Sequence, residues 1–388
     1  MSRFYLIILV LELALTDCQK PFLPKTEHMP AVLVVEGYLS TQSTLQSVTL
    51  TYSSPFGERP GYSAESDATV YITDDRGSRF DYYETERAGI YRSRVEDDVK
   101  GSIGHTYILH IITNDSVVYE STPQTIRPCP EPSDLACRSG EEKILTEDAY
   151  GAPLVITYNG IKIITSSIGI LNSGNFYQYV WYGYEEHYTR VHENDTVNYD
   201  LYEHRRLSSL YISNIRTGSA DGIAGHEIIN KKLAFIPYSY LIDFTPSYQY
   251  LDTFTIDSTH FHDLPKIYVP STDSIFYTYF KGLLLKMEQR SLTPDAYEFW
   301  NAAENQLSAK GNLFDPATSQ INGNIYCVSD PGKNAYGIFT AYDTKNKFAY
   351  MYYDGKHSFS REIDSFPELV VDTFKVDTVP GGWIDPPF

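Results

Sequence analysis

The chain has 388 residues, more than one core usually fills, so two domains are the natural expectation. Its 50 acidic against 31 basic residues give a formal charge of −19, a field that repels a phosphate backbone and argues against nucleic-acid binding. Hydrophobic residues are 42% and charged residues 21%, ordinary for a folded protein; the 34 Tyr and 19 Phe against 3 Trp favour a β-dominated chain, because Tyr suits half-buried pleated surfaces.

The first residues carry the sharpest signal. Arg3 supplies a positive start, and Phe4 to Leu15 form an apolar run interrupted only by Glu12. This run is too short to span a bilayer but suits a signal peptide over residues 1–17. Leu15-Thr16-Asp17-Cys18 then sits where a lipobox belongs, and the Cys18 thiol is the atom that would receive a diacylglycerol. Asp17 departs from the small residue usual before that Cys, so the alternative is an ordinary signal cleaved elsewhere. Residues 18–30, polar and holding Pro21, Pro24 and Pro30, read as lipid anchor and tether.

From 31 to 127 short apolar runs alternate with turn clusters such as Asp75-Arg76-Gly77 and Asn114-Asp115-Ser116. Leu33, Val35, Gly37 and Leu39 share one face of the first run, and Val48 and Leu50 repeat the spacing of two. Six or seven short strands at this density predict an immunoglobulin-like β-sandwich, without the Cys…Trp…Cys signature of antibody domains. Pro128, Pro130, Pro132 and the charged Glu141-Glu142-Lys143 predict a linker over 128–152. In an oxidising compartment Cys129 and Cys137 are the local candidates for a disulfide, with Cys327 as an alternative partner for either; an odd count leaves one thiol free.

A second β-rich domain is expected over 153–371, interrupted by two helices. The first is predicted near 274–290 from Phe276, Phe280, Leu283, Leu284 and Met287. The second is predicted near 294–310: Thr293 can cap, Pro294 suits the first turn and Asp295 complements the dipole. Ala296, Phe299, Trp300, Ala303 and Leu307 form its apolar stripe, so Trp300 is expected in the core. Asp354-Gly355 predicts a hairpin, and residues 372–388, rich in Thr, Gly and Pro, predict a flexible tail.

The chemistry-bearing residues make no recognisable catalytic constellation. His260 and His262 would share a strand face, but no third ligand stands at a zinc-like spacing. Glu185-Glu186-His187 would point to alternating faces, and Asp74-Asp75 and Asp97-Asp98 sit beside turn signals. No Gly-x-Ser-x-Gly elbow, His-Glu-x-x-His or phosphate-binding glycine loop occurs. Tyr177, Tyr179 and Trp181 would line one face of a strand, either as an aromatic platform for sugar rings or as a strand buried on both sides.

The segments Leu292 to Trp300, Gly311 to Pro316, Ile321 to Ile325 and Ala335 to Ala341, with Val34 to Gly37, Ala68 to Gly77, Gly89 to Tyr91 and Gly104 to Tyr107, together resemble domain-of-unknown-function family forty-two forty-nine. The resemblance spans nearly the whole chain from Cys18. It implies a Bacteroidota outer-membrane lipoprotein encoded near TonB-dependent receptors, and it carries no catalytic residues. The chain ends in Pro380 to Phe388 without the Cys-rich segment that members often show. The expectation is a non-catalytic, cofactor-free lipoprotein held in the cell outer membrane by its anchor, acting as accessory or ligand-binding partner of such a receptor. The rivals are a surface enzyme acting on glycan or peptide and a structural envelope or adhesion protein.

Overall fold

In the computed structural model the chain is mainly β, with one α-helix among the described residues. Those residues are 31–42, 46–54, 63–148, 150–170, 176–193, 196–206, 216–219, 227–237, 274–308, 321–353, 358–363 and 374–376. Residues 1–30, with Cys18, and His260 and His262 lie outside them.

The first sheet begins with nine strands in chain order: β1 (Leu33–Ser40), β2 (Ser47–Tyr52), β3 (Ser63–Ala64), β4 (Thr69–Asp74), β5 (Arg79–Glu84), β6 (Ile90–Arg92), β7 (Thr106–Ile112), β8 (Val118–Ser121) and β9 (Gln124–Thr125). Their alternation is the predicted one: Leu33, Val35 and Leu39 are buried on one face of β1, and Glu36 is exposed on the other. Because β5 pairs with both β4 and β6, the sheet is continuous and its halves pack face to face. Gly37 marks the closest approach. A Cβ there would lie 3.2 Å from Phe339 and 3.3 Å from Leu109 of β7, on the opposite half.

The next strands build a second body. β10 (Pro132–Glu147), β11 (Pro153–Ile168) and β15 (Glu227–Pro237) form a three-stranded sheet. It packs on a seven-stranded one containing β12 (Phe176–Glu193), β13 (Thr196–Arg206), β14 (Arg216–Ser219) and β16 (Ser274–Leu292). After the helix α1 (Pro294–Ser308) come β17 (Ile325–Cys327), β18 (Ala335–Tyr342), β19 (Thr344–Tyr353), β20 (Ser358–Ile363) and β21 (Phe374–Val376). β19, β20 and β21 join the seven-stranded sheet, whereas β17 and β18 return to the first. β19 and β20 are the antiparallel pair expected around Asp354-Gly355.

That return revises the domain boundary. The first sheet is completed by β17 on β8 and by β18, which runs parallel to β1 from Leu33↔Ala335 to Ser40↔Tyr342. Phe339, Ala341 and Ile325 join its core. Residues 31–127 therefore leave β1 without a partner on its outer edge. A parallel partner cannot arrive through a tight turn, so pattern reading along neighbouring segments does not find it.

Four further expectations are corrected. The predicted linker 128–152 contains β10, a 16-residue strand that pairs with β11 along its length apart from an irregularity between Pro132 and Asp134; the prolines cover only its entry, and Glu141 and Lys143 are solvated positions along the strand. The helix predicted at 274–290 is β16, paired with β12 on one side and β19 on the other. Leu283, Leu285, Met287 and Gln289 are buried on one face with Leu284 on the other, so an apolar run that satisfies helical spacing also satisfies alternation. Cys129, Cys137 and Cys327 are free thiols. From Pro132 to Cys137 the chain is extended strand, so no turn within that stretch carries Cys137 back toward Cys129. Burial pushes the Cys129 thiol up to about 12, which leaves it inert. Within the expected tail, Phe374–Val376 is a strand on β13.

The second predicted helix is present. Leu292, Ala296, Trp300 and Ile338 form a small core with Tyr38, Phe176, Tyr297, Phe299 and Ala303 packed against it. Leu307, assigned to the same stripe, is 69% exposed. α1 is held at its far end by Glu304, which accepts from the Thr217 amide at 2.7 Å and lies 3.6 Å from Arg216 and from Lys231.

Candidate ligand-binding cleft

The seven-stranded sheet has two differently used faces. Tyr177, Tyr179 and Trp181 lie at 1%, 0% and 1% exposure against Leu283, Leu285 and Met287, beneath the three-stranded sheet. They are core, not a sugar platform: the face of β12 that carries them is covered by the three-stranded sheet.

The other face carries three cross-strand rows. Gln178, Arg290 and Thr344 stand side by side on β12, β16 and β19, followed by Val180, Glu288 and Asn346, then Tyr182, Lys286 and Phe348. The outer face of β1 lies opposite, presenting Glu36, Tyr38 and Ser40 at the same spacing of two. Between them is a cleft of ≈ 700 Å³, closed along one side by Trp300 and Tyr342. That volume falls in the range of small-molecule sites.

Its inner wall is aromatic and charged. The Tyr38 ring stacks on Trp300 with centroids 6.4 Å apart and planes at 13°, and meets Tyr342 edge-on at 6.3 Å. The Arg290 guanidinium lies 4.8 Å from the Tyr342 ring centroid and 5.7 Å from that of Tyr38. Arg290 donates to Glu288 at 2.9 Å, and Lys286 bridges the other Glu288 oxygen at 3.0 Å. Burial works against the Glu288 charge, but Arg290 and Lys286 outweigh it and hold the carboxyl below its ordinary value. Glu36 accepts from the Tyr38 hydroxyl at 2.7 Å; burial first, and Glu36 next, push that phenol well above its usual range. The Arg290 Nε and Trp300 Nε1 donors are buried without an acceptor among the described residues.

Two polar knots fix this geometry. At the crossing from β18 to β19, Asp343 is buried and accepts from the Thr41 hydroxyl at 2.6 Å and from the Cys129 amide at 2.9 Å, while its own amide donates to the Ser291 hydroxyl at 3.1 Å. At the start of α1, Asp295 accepts from the Gln124 amide at 2.9 Å and the Thr122 hydroxyl at 3.1 Å, and Thr293 donates to Gln124 at 2.7 Å. Burial opposes the Asp295 charge, yet the bonds from Thr293, Gln124 and Thr122 lower its pKa. A lowered carboxyl contributes stability that is complete above its unfolded value and is lost as pH falls through the folded one. Asp295→Asn should therefore lower the melting temperature at pH 7, with the gap to the parent narrowing by pH 3, as differential scanning calorimetry at both values would show.

The other acidic and histidine pairs from the sequence do structural work. Asp74 accepts from the Arg76 and Ser78 amides in a turn, and Asp75 meets His105 at 2.8 Å. Asp98 closes a short 3-10 turn and binds Lys100. Glu185 is buried, and the side chains of Glu186 and His187 lie outside the described residues. Among the described residues no three His, Cys, Asp or Glu side chains come together as a metal site. Sequence reading missed Lys286, Glu288 and Arg290. Their spacing of two is the signal that places all three on one strand face, and the helical assignment concealed it.

No curated protein and no solved structure matches the chain. The family model described as Domain of unknown function (DUF4249) matches residues 19–347, which include the first sheet, the three-stranded sheet, the helix and every residue lining the cleft; of the seven-stranded sheet, β20, β21 and the end of β19 lie beyond the match. On that match the chain belongs to the DUF4249 family.

Proposed function

We propose that the protein is an exported lipoprotein, anchored in the outer membrane through Cys18, that binds a ligand without transforming it and serves a TonB-dependent receptor. The observation that carries the binding reading is the ≈ 700 Å³ cleft between the outer face of β1 and the β12–β16–β19 face, walled by Tyr38, Trp300, Tyr342 and Arg290. Its two carboxylates are already engaged, Glu288 by two cations and Glu36 by the Tyr38 hydroxyl, which suits fixed recognition better than proton transfer. The anchor and the receptor partnership rest on the lipobox and on the family resemblance. In this reading the first sheet, whose halves pack face to face, is an immunoglobulin-like sandwich serving as the rigid wall of the cleft.

The test is made in cells with the full chain. The parent should fractionate with the outer membrane, and Cys18→Ala should release it to the soluble fraction. Affinity purification from mildly solubilised membranes should recover a TonB-dependent receptor with the parent chain. Membrane retention of Cys18→Ala would remove the anchor, and recovery of no such receptor would remove the partnership.

A further inference from the structure

The charges and polar groups of the cleft narrow what it can hold. Two cations, Lys286 and Arg290, face two carboxylates, Glu36 and Glu288, so the lining is electrically balanced although the chain as a whole carries −19. An anionic ligand would find no surplus positive charge there, and a cationic one no surplus negative charge. The remaining polar lining is amide and hydroxyl, with Gln42, Gln178 and Asn346 among the amides and Ser40, Ser47 and Thr344 among the hydroxyls. Amides and hydroxyls both donate and accept, which matches a ligand whose groups do the same. Tyr38 and Tyr182, half-buried on opposite walls, add ring surface suited to apolar C–H groups, the Tyr38 ring backed by Trp300 and the Tyr182 ring centroid 5.8 Å from the Lys286 ammonium. The rows recur at a spacing of two along β12, β16 and β19, about 7 Å apart, which suits a ligand built of repeating units.

We propose that the cleft binds a neutral oligosaccharide, held by tyrosine faces and by amide and Lys286–Glu288–Arg290 hydrogen bonds to its hydroxyls. This rests on the reading of the cleft as the binding site. Hydroxyl recognition gives a use to an ion-paired triad that lines the cleft while largely buried. Each hydroxyl can accept from Lys286 or Arg290 and donate to Glu288 without displacing either partner.

The test is an array of neutral glycans, acidic glycans and extended peptides probed with the purified full chain, followed by calorimetric titration of each hit. A neutral glycan should bind. Tyr182→Ala and Asn346→Ala should each weaken it about tenfold or more, while Tyr182→Phe, which keeps the ring, should retain most of the affinity. Melting curves must show each variant folded. Hits confined to acidic glycans or peptides, yet lost in Tyr182→Ala, would overturn the saccharide assignment and leave the cleft as a binding site. Absence of any neutral-glycan hit would overturn the assignment as well. Neutral-glycan hits indifferent to both substitutions would overturn the cleft itself as their site.

Discussion

Trp181→Ala is expected to cost about 3–5 kcal/mol, the usual range for removing a large buried aromatic whose neighbours cannot collapse into the space. Trp181 is 1% exposed at the centre of the second core, between Met287 of β16 and the three-stranded sheet. Whole-domain stability is typically about 5–15 kcal/mol, so such a loss approaches unfolding. Chemical denaturation followed by tryptophan and tyrosine fluorescence should show the midpoint fall sharply. A change below about 1 kcal/mol, the scale of a surface substitution, would mean that the β12 aromatics are not the core described above. The same row would then return as a candidate ligand surface.

Asp343→Ala is the second large effect expected. Its carboxylate accepts from the Thr41 hydroxyl and the Cys129 amide, tying the end of β1 and the entry of β10 to the point where β18 becomes β19. Hydrogen bonds to a charged acceptor contribute about 1.5–3 kcal/mol each, and the amide of Cys129 would be left buried without an acceptor, so a loss of about 3–5 kcal/mol is expected. Asp343→Asn, which keeps one carbonyl oxygen, should recover part of it. Because Tyr342 and Thr344 flank this residue and line the cleft, the alanine variant should also lose ligand binding at temperatures where it remains folded. Equilibrium denaturation and titration of both variants check the two parts separately.

What the sequence makes legible is local. Leu33, Val35 and Leu39 announce β1, Thr293-Pro294-Asp295 announce the helix, and Asp354-Gly355 falls between the paired strands β19 and β20. β16 was misread because Leu283-Leu284-Leu285 fits both periods, and only pairing with β12 and β19 decides between them. β10 was misread because prolines at a strand entry look like a linker. The cleft was illegible for a different reason: Tyr38, Gln178, Arg290 and Tyr342 are brought together by a parallel strand pairing that spans about three hundred residues of sequence, and no periodicity within one segment encodes that contact. Family membership was legible from ordered short motifs, since the spacing of turns and strands persists where single residues do not signal chemistry.

The cleft depends most on β18 lying against β1, because that pairing completes the first sheet and sets the cleft wall. Amide hydrogen exchange resolved by residue over Leu33–Ser40 tests it most directly. In a strand, successive N–H groups point to alternate sides, so with β2 on one side and β18 on the other every amide from Val34 to Leu39 should exchange slowly. If instead alternate amides, those directed away from β2, exchange at the rate of an open edge, then β1 has no partner there. The first sheet would then end within residues 31–127, and the cleft described here would not exist.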